Sequence, residues 1–114
     1  MNAISARKTD MIFIPPTEII ESRDGYTITM EIPGLDKADI RIWSENNKLM
    51  VTAEKKIDTE GRLYAERIGG KFARWFVLPE DCEAAKVEAE YVDGVIRIVI
   101  PKSEKSKAKT ITIK

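Results

Sequence analysis

The stretch that decides the fold is Val87-Glu88-Ala89-Glu90-Tyr91-Val92-Asp93-Gly94-Val95-Ile96-Arg97-Ile98-Val99-Ile100. Its first five residues alternate apolar and acidic, and its last six keep Ile96, Ile98 and Ile100 in one phase. Side chains of an extended backbone point to opposite faces in turn, so each half reads as a strand with one buried face. Between the halves stands Asp93-Gly94, a pair that tolerates positive φ and so closes a tight hairpin. The same period recurs along the chain.

Upstream, Tyr26-Thr27-Ile28-Thr29-Met30-Glu31-Ile32 alternates until Pro33-Gly34 stops it. Lys48 to Glu54 places Leu49, Val51 and Ala53 on one side, while Asp39 to Trp43 and Phe72 to Leu78 supply two more strands. Glu18-Ile19-Ile20-Glu21 is a shorter candidate. Asn46-Asn47 reads as a second tight hairpin, with further turns at Arg23-Asp24-Gly25 and Gly69-Gly70. Leu35 to Ile40 and Glu80 to Lys86 are at most single helical turns. Short strands at this spacing, without a long helix, predict an all-β fold, an antiparallel immunoglobulin-like β-sandwich.

Three segments stand outside that pattern. Lys55 to Gly70 is a long charged excursion whose centre, Leu63-Tyr64-Ala65, has the makings of a strand; loops of this length usually work or pack against something. Met11-Ile12-Phe13-Ile14 is an apolar cluster before Pro15-Pro16, and prolines keep it out of a sheet centre. At the other end, a lysine-rich stretch leads to Thr110-Ile111-Thr112-Ile113-Lys114. Ile111 and Ile113 fall on one side of an extended backbone and form a two-pronged apolar plug. Two readings stay open: the plug enters a groove on another subunit, or it adds a strand to its own sheet. The expected divisions are an arm over 1–15, a sandwich over 16–101 and a tail over 102–114.

One domain with a real core fits 114 residues. Nineteen Lys plus Arg balance nineteen Asp plus Glu, so nothing in the charge favours nucleic acid, and no electrostatic brake opposes self-association. The lysines after Pro101 read as a solvated linker. No apolar run is long enough to cross a bilayer, and the first residues lack a signal's apolar core. With Cys82 as the single cysteine, a reducing, cytoplasmic setting is expected. Absent glutamine and abundant Lys, Glu and Ile lean towards a thermophilic source. With no histidine, the commonest general base and metal ligand is missing, and one cysteine alone makes neither a Cys/His nucleophile nor a zinc set. No phosphate-binding glycine loop is present, and Glu80-Asp81 reads as solvated turn surface. No enzyme, cofactor, metal, nucleotide or membrane partner is expected.

With these residues in view, the chain resembles the small heat-shock proteins of the Hsp20 and α-crystallin family, archaeal or bacterial in type. Ala89 to Lys102 is similar to the signature A-x-x-x-n-G-V-L followed by alternating apolar residues and proline. Ile32-Pro33-Gly34-Leu35 resembles the family's L-P-G-F turn, Phe72 to Pro79 its F-x-R-x-F-x-L-P, Glu66-Arg67 its E-R pair, and Ile111-Thr112-Ile113 its I-x-I tail. The resemblance implies an ATP-independent holdase that captures partly unfolded clients, built as a homo-oligomer of strand-exchanged dimers. It implies that Leu63, Tyr64, Ala65, Glu66 and Arg67 pair with a partner's strand around Ile19 and Ile20. It further implies that Ile111 and Ile113 enter a neighbour's groove between Ile40-Ile42 and Val87-Ala89. The arm is short for the family.

Arg74 shares a strand face with Phe72 and Phe76, so a carboxylate partner at a subunit interface is expected for it. Met11, Ile12, Phe13 and Ile14 are the preferred client or assembly contact. Trp43 and Trp75 lie out of phase with the apolar sets of their strands, either as client surface or beneath the arm. Cys82 carries no redox role. A monomeric p23/CS-type co-chaperone is the main alternative, lacking need of the long loop or the I-x-I tail; a small β-sandwich enzyme is a distant third.

Overall fold

Both predicted hairpins close through left-handed turns, Asn46-Asn47 at φ 50° and 63° and Asp93-Gly94 at φ 53° and 79°. In the computed structural model, which describes residues 14–58, 60–67, 69–104 and 110–114, they belong to a sandwich of seven strands. These are β1 Thr17–Glu21, β2 Gly25–Glu31, β3 Ile40–Glu45, β4 Lys48–Lys55, β5 Gly70–Val77, β6 Glu88–Val92 and β7 Val95–Pro101. One sheet has the order β1-β2-β7-β6 and the other β3-β4-β5. Every pairing is antiparallel. Two 3-10 turns, Lys37–Asp39 and Ala84–Lys86, interrupt the strands.

The period-two sets become the core. Ile28 and Met30 of β2 and Ile96, Ile98 and Ile100 of β7 face Leu49, Val51 and Ala53 of β4 and Phe72 of β5, all buried. Full burial of each such aliphatic contributes about 1.5–3 kcal/mol. A register slip of one residue would turn a whole set to solvent, so the pairing is firmly specified. Among the described residues no polar or charged side chain is fully buried.

Two glycines mark close approaches. A Cβ on Gly25 would collide with the Ile100 carbonyl oxygen, where β2 meets the end of β7. Gly94 lies against Pro33, and its carbonyl accepts from the Ile32 amide at 2.8 Å. Tyr91 reinforces this junction: its hydroxyl donates to the Ile32 carbonyl at 2.7 Å and accepts from the Leu35 amide at 3.2 Å.

Where β7 ends, a polar cluster pins the root of the tail. Lys102 donates to Glu21 Oε2 at 2.8 Å and lies 5.3 Å from the Tyr26 ring centroid, with its side chain only 11% exposed. The Tyr26 hydroxyl donates to the Asp81 carboxylate at 3.2 Å. Backbone bonds run from the Lys102 amide to the Asp24 carbonyl and from the Ser103 amide to the Asp81 carbonyl. Cys82 forms a β-bridge with Lys102, and burial, then the Asp81 charge, pushes its thiol up. Loss of water and donation to Asp81 push the Tyr26 phenol up to about 12. The hydrogen bond between Glu21 and Lys102 lowers the carboxyl and raises the amine.

Two expectations follow. Ile98→Ala will lower the urea unfolding free energy by about 2–5 kcal/mol, because it opens a void in the centre of the core. Val99→Ala, one residue along and facing outward, will change it by less than about 1 kcal/mol. Second, the raised groups Tyr26 and Lys102 stabilise the fold fully below their unfolded values, so that stability is lost as pH rises through the folded ones. Glu21 works oppositely, its stabilisation being lost as pH falls through its lowered value. The thermal midpoint will therefore fall above about pH 10. That alkaline fall will be shallower in Tyr26→Phe/Lys102→Met, as pH-dependent calorimetry can check.

Candidate functional site: the open edges of the sandwich

Strands β3 and β6 are the neighbouring free edges of the two sheets, and their inward side chains do not meet completely. Ile40 and Ile42 alternate inward on β3 opposite Ala53 and Val51, while Ala89 and Tyr91 on β6 lie opposite Ile98 and Ile96. Between them run two adjoining hollows. One, about 330 Å³, is lined by Ile40, Ile42, Ala89, Tyr91 and Ile96, together with Lys37 and Glu90. The other, about 340 Å³, is lined by Ile42, Trp43, Ser44, Leu49, Ala84, Val87 and Ala89. Ile42 and Ala89 line both and so form the ridge that separates them.

The four residues predicted for a tail-accepting groove, Ile40, Ile42, Val87 and Ala89, are thus brought together. Sequence reasoning missed Tyr91 and Ala84. Tyr91 continues the i, i+2 series of Val87 and Ala89, so the signal was present. Ala84 comes from the 3-10 turn ahead of β6, and no local pattern announces it. Two adjoining hollows offer one place each to two prongs, which an extended chain sets about 6.6–7 Å apart. The flanking strand edges also offer unpaired backbone donors and acceptors to an added strand.

Ile111 and Ile113 are 85% and 93% exposed, and residues 110–114 form no strand. The plug is therefore free of its own sandwich in this structure, and the reading in which it adds a strand to its own sheet is not realised.

On the opposite side, β1 and β5 form the other pair of free edges, with a smaller hollow of about 150 Å³ lined by residues including Ile19, Tyr26, Phe76 and Pro79. Ile19 and Ile20 are both about half exposed. Arg74 donates to Thr17 Oγ1 at 3.4 Å, and its guanidinium lies 5.1 Å from the Phe76 ring centroid. Among the described residues no carboxylate reaches it at ion-pair distance; the ring and the hydroxyl occupy the cation instead, because its strand face is apolar. Leu63 and Tyr64 are fully or largely exposed, and Ala65, Glu66 and Arg67 are exposed beside them. No strand forms in the described part of their loop. Ile14 is exposed, whereas Met11, Ile12 and Phe13 lie outside the described residues.

The chemistry available here is non-covalent. Apolar hollows bordered by unpaired strand edges take up extended polypeptide, and among the described residues no acid or thiol group gathers in a metal-binding set.

The Hsp20/alpha crystallin family model matches residues 18–114. Small heat shock protein C2 of Rickettsia felis is 33% identical over 110 residues, covering 93% of this chain and 71% of its own length. Heat shock protein 16 of Schizosaccharomyces pombe is 31% identical over 101 residues, covering 83% and 71%. Among solved structures, heat shock protein 16.0 from the same yeast superposes with a TM-score of 0.73 at 30% identity, over 90% of this chain and 99% of its own. A small heat-shock protein from Xylella fastidiosa gives 0.77 at 27% identity, over 90% and 97%. Neither a p23/CS-type module nor an enzyme is favoured by these matches. With its alternating strands, its I-x-I tail and the matched span all in agreement, the chain belongs to the Hsp20/alpha crystallin family of small heat-shock proteins.

Proposed function

We propose that this chain is an ATP-independent holdase, a prokaryotic cytoplasmic protein that works as a homo-oligomer of strand-exchanged dimers and keeps partly unfolded clients soluble. The family is one of non-enzymatic chaperones, and the chain is not an enzyme. The observation that carries the assembly is a free two-pronged apolar tail on a chain whose β3/β6 edge holds two adjoining hollows lined largely by apolar side chains. Exposed Leu63 and Tyr64 in the long loop, and a free β1 edge with half-exposed Ile19 and Ile20, support the dimer contact. The relative from Xylella fastidiosa is described as having a distinct high order structure, which supports assembly beyond the dimer.

Magnitudes set the behaviour of the tail. Burying two isoleucines yields about 3–6 kcal/mol. Ordering a handful of tail residues costs about 1–2 kcal/mol each. A single tail therefore holds weakly, and many tails in one closed particle hold together through effective concentration. Subunits exchange readily on this account, and warming frees hollows for exposed client segments.

The decisive assay uses insulin reduced with dithiothreitol, which releases an aggregating B chain, with no nucleotide added. Equimolar chain will suppress the light scattering; undiminished scattering would overturn the holdase reading. For the tail, Ile111→Ala/Ile113→Ala will lower the native mass towards twice the 12.9 kDa subunit, and an unchanged mass would show that the tail is not the joint.

A further inference from the structure

Strand register assembles a second apolar feature away from both edge grooves. On the outer face of the three-stranded sheet, Trp43 pairs with Met50 and Met50 with Trp75, so both tryptophans of the chain flank one methionine in a single row. The row connects the two open edges. Trp43 lines the second β3/β6 hollow, and Val77, two residues beyond Trp75 on the same face, lines the β1/β5 hollow and is 72% exposed.

Two cations stand over this row. The Arg41 guanidinium lies 5.2 Å from the Trp43 ring centroid and the Lys48 ammonium 5.8 Å from that of Trp75. Among the described residues neither forms an ion pair. The nearby carboxylate of Glu45 accepts instead from the Trp43 indole at 3.4 Å. An indole row with a cation on each side, neither in an ion pair among the described residues although Glu45 stands opposite Lys48 in register, complements a ligand carrying apolar side chains and carboxylates together. The chain's own remaining segments do not supply that pattern. Residues 1–13 set Arg7 and Lys8 against a single acid, Asp10, and residues 105–109 contain three lysines and no acid.

We propose that the Trp43–Met50–Trp75 face is a contact surface for unfolded polypeptide, taking an extended segment in which aromatic or aliphatic side chains are interspersed with carboxylates. This rests on the holdase reading and names where a client lies on the subunit. The face lets a captured segment continue from one edge hollow over the sheet towards the other, so hold on a client is spread over several weak contacts.

Both tryptophans lie on this face, so it reports on itself, and the insulin B chain has no tryptophan to interfere. The full-length Trp43→Phe variant leaves Trp75 as the only emitter. As the B chain is captured, Trp75 emission will move to shorter wavelength and become less accessible to acrylamide. Met50→Glu, which sets a carboxylate within the row, will require about tenfold more chain for equal protection at unchanged native mass. Unmoved Trp75 emission with the B chain held soluble would overturn the proposal, as would full protection by Met50→Glu. It would also fall if Trp75 is already shielded before client is added and stays so, the sign of another copy or of residues 1–13 on this face. If the wild-type chain leaves scattering undiminished, the holdase reading fails first and this inference fails with it.

Discussion

The structure depends on burying one face of β2, β4, β5 and β7 with aliphatic side chains and one phenylalanine. Because no polar side chain is fully buried in that interior among the described residues, no fully buried side-chain hydrogen bond or ion pair helps to choose the register. Alternation and turn geometry do it instead. This division of labour leaves the sandwich rigid within and unfinished at its margins: sheets of four and three strands expose two edges each, and the gap between unequal sheets becomes hollows. Assembly and client capture, as proposed here, use what the core leaves uncovered.

Much of this was legible in the sequence because it is local. The two hairpin turns were written in Asn46-Asn47 and Asp93-Gly94, and the strands other than the short β1 followed from a period of two. The groove residues came from the family resemblance, but the same alternation put Ile40 and Ile42, and Val87 and Ala89, on shared faces. Tyr91 belonged to that series and was passed over.

What escaped was long-range. The row from Trp43 through Met50 to Trp75 exists only once three strands are in register; from sequence each tryptophan stood out of phase on its own strand, as client surface or beneath the arm, with nothing to join the two. Glu21, Tyr26, Asp81 and Lys102 meet across separations as large as 81 residues, and nothing near any of them announces the others. Arg74 shows a different limit. The carboxylate expected for it belongs to a subunit interface, which one chain does not contain; within the chain the Phe76 ring and the Thr17 hydroxyl meet the cation.

The anchoring of Ser103 to the Asp81 carbonyl has a geometric corollary. Ile111 lies eight positions beyond Ser103, and eight extended steps span at most about 26–29 Å. The tether is thus a ruler with a fixed zero mark. Any neighbour that receives the isoleucines must present its hollows within that radius of the mark, which bounds the curvature of a closed particle.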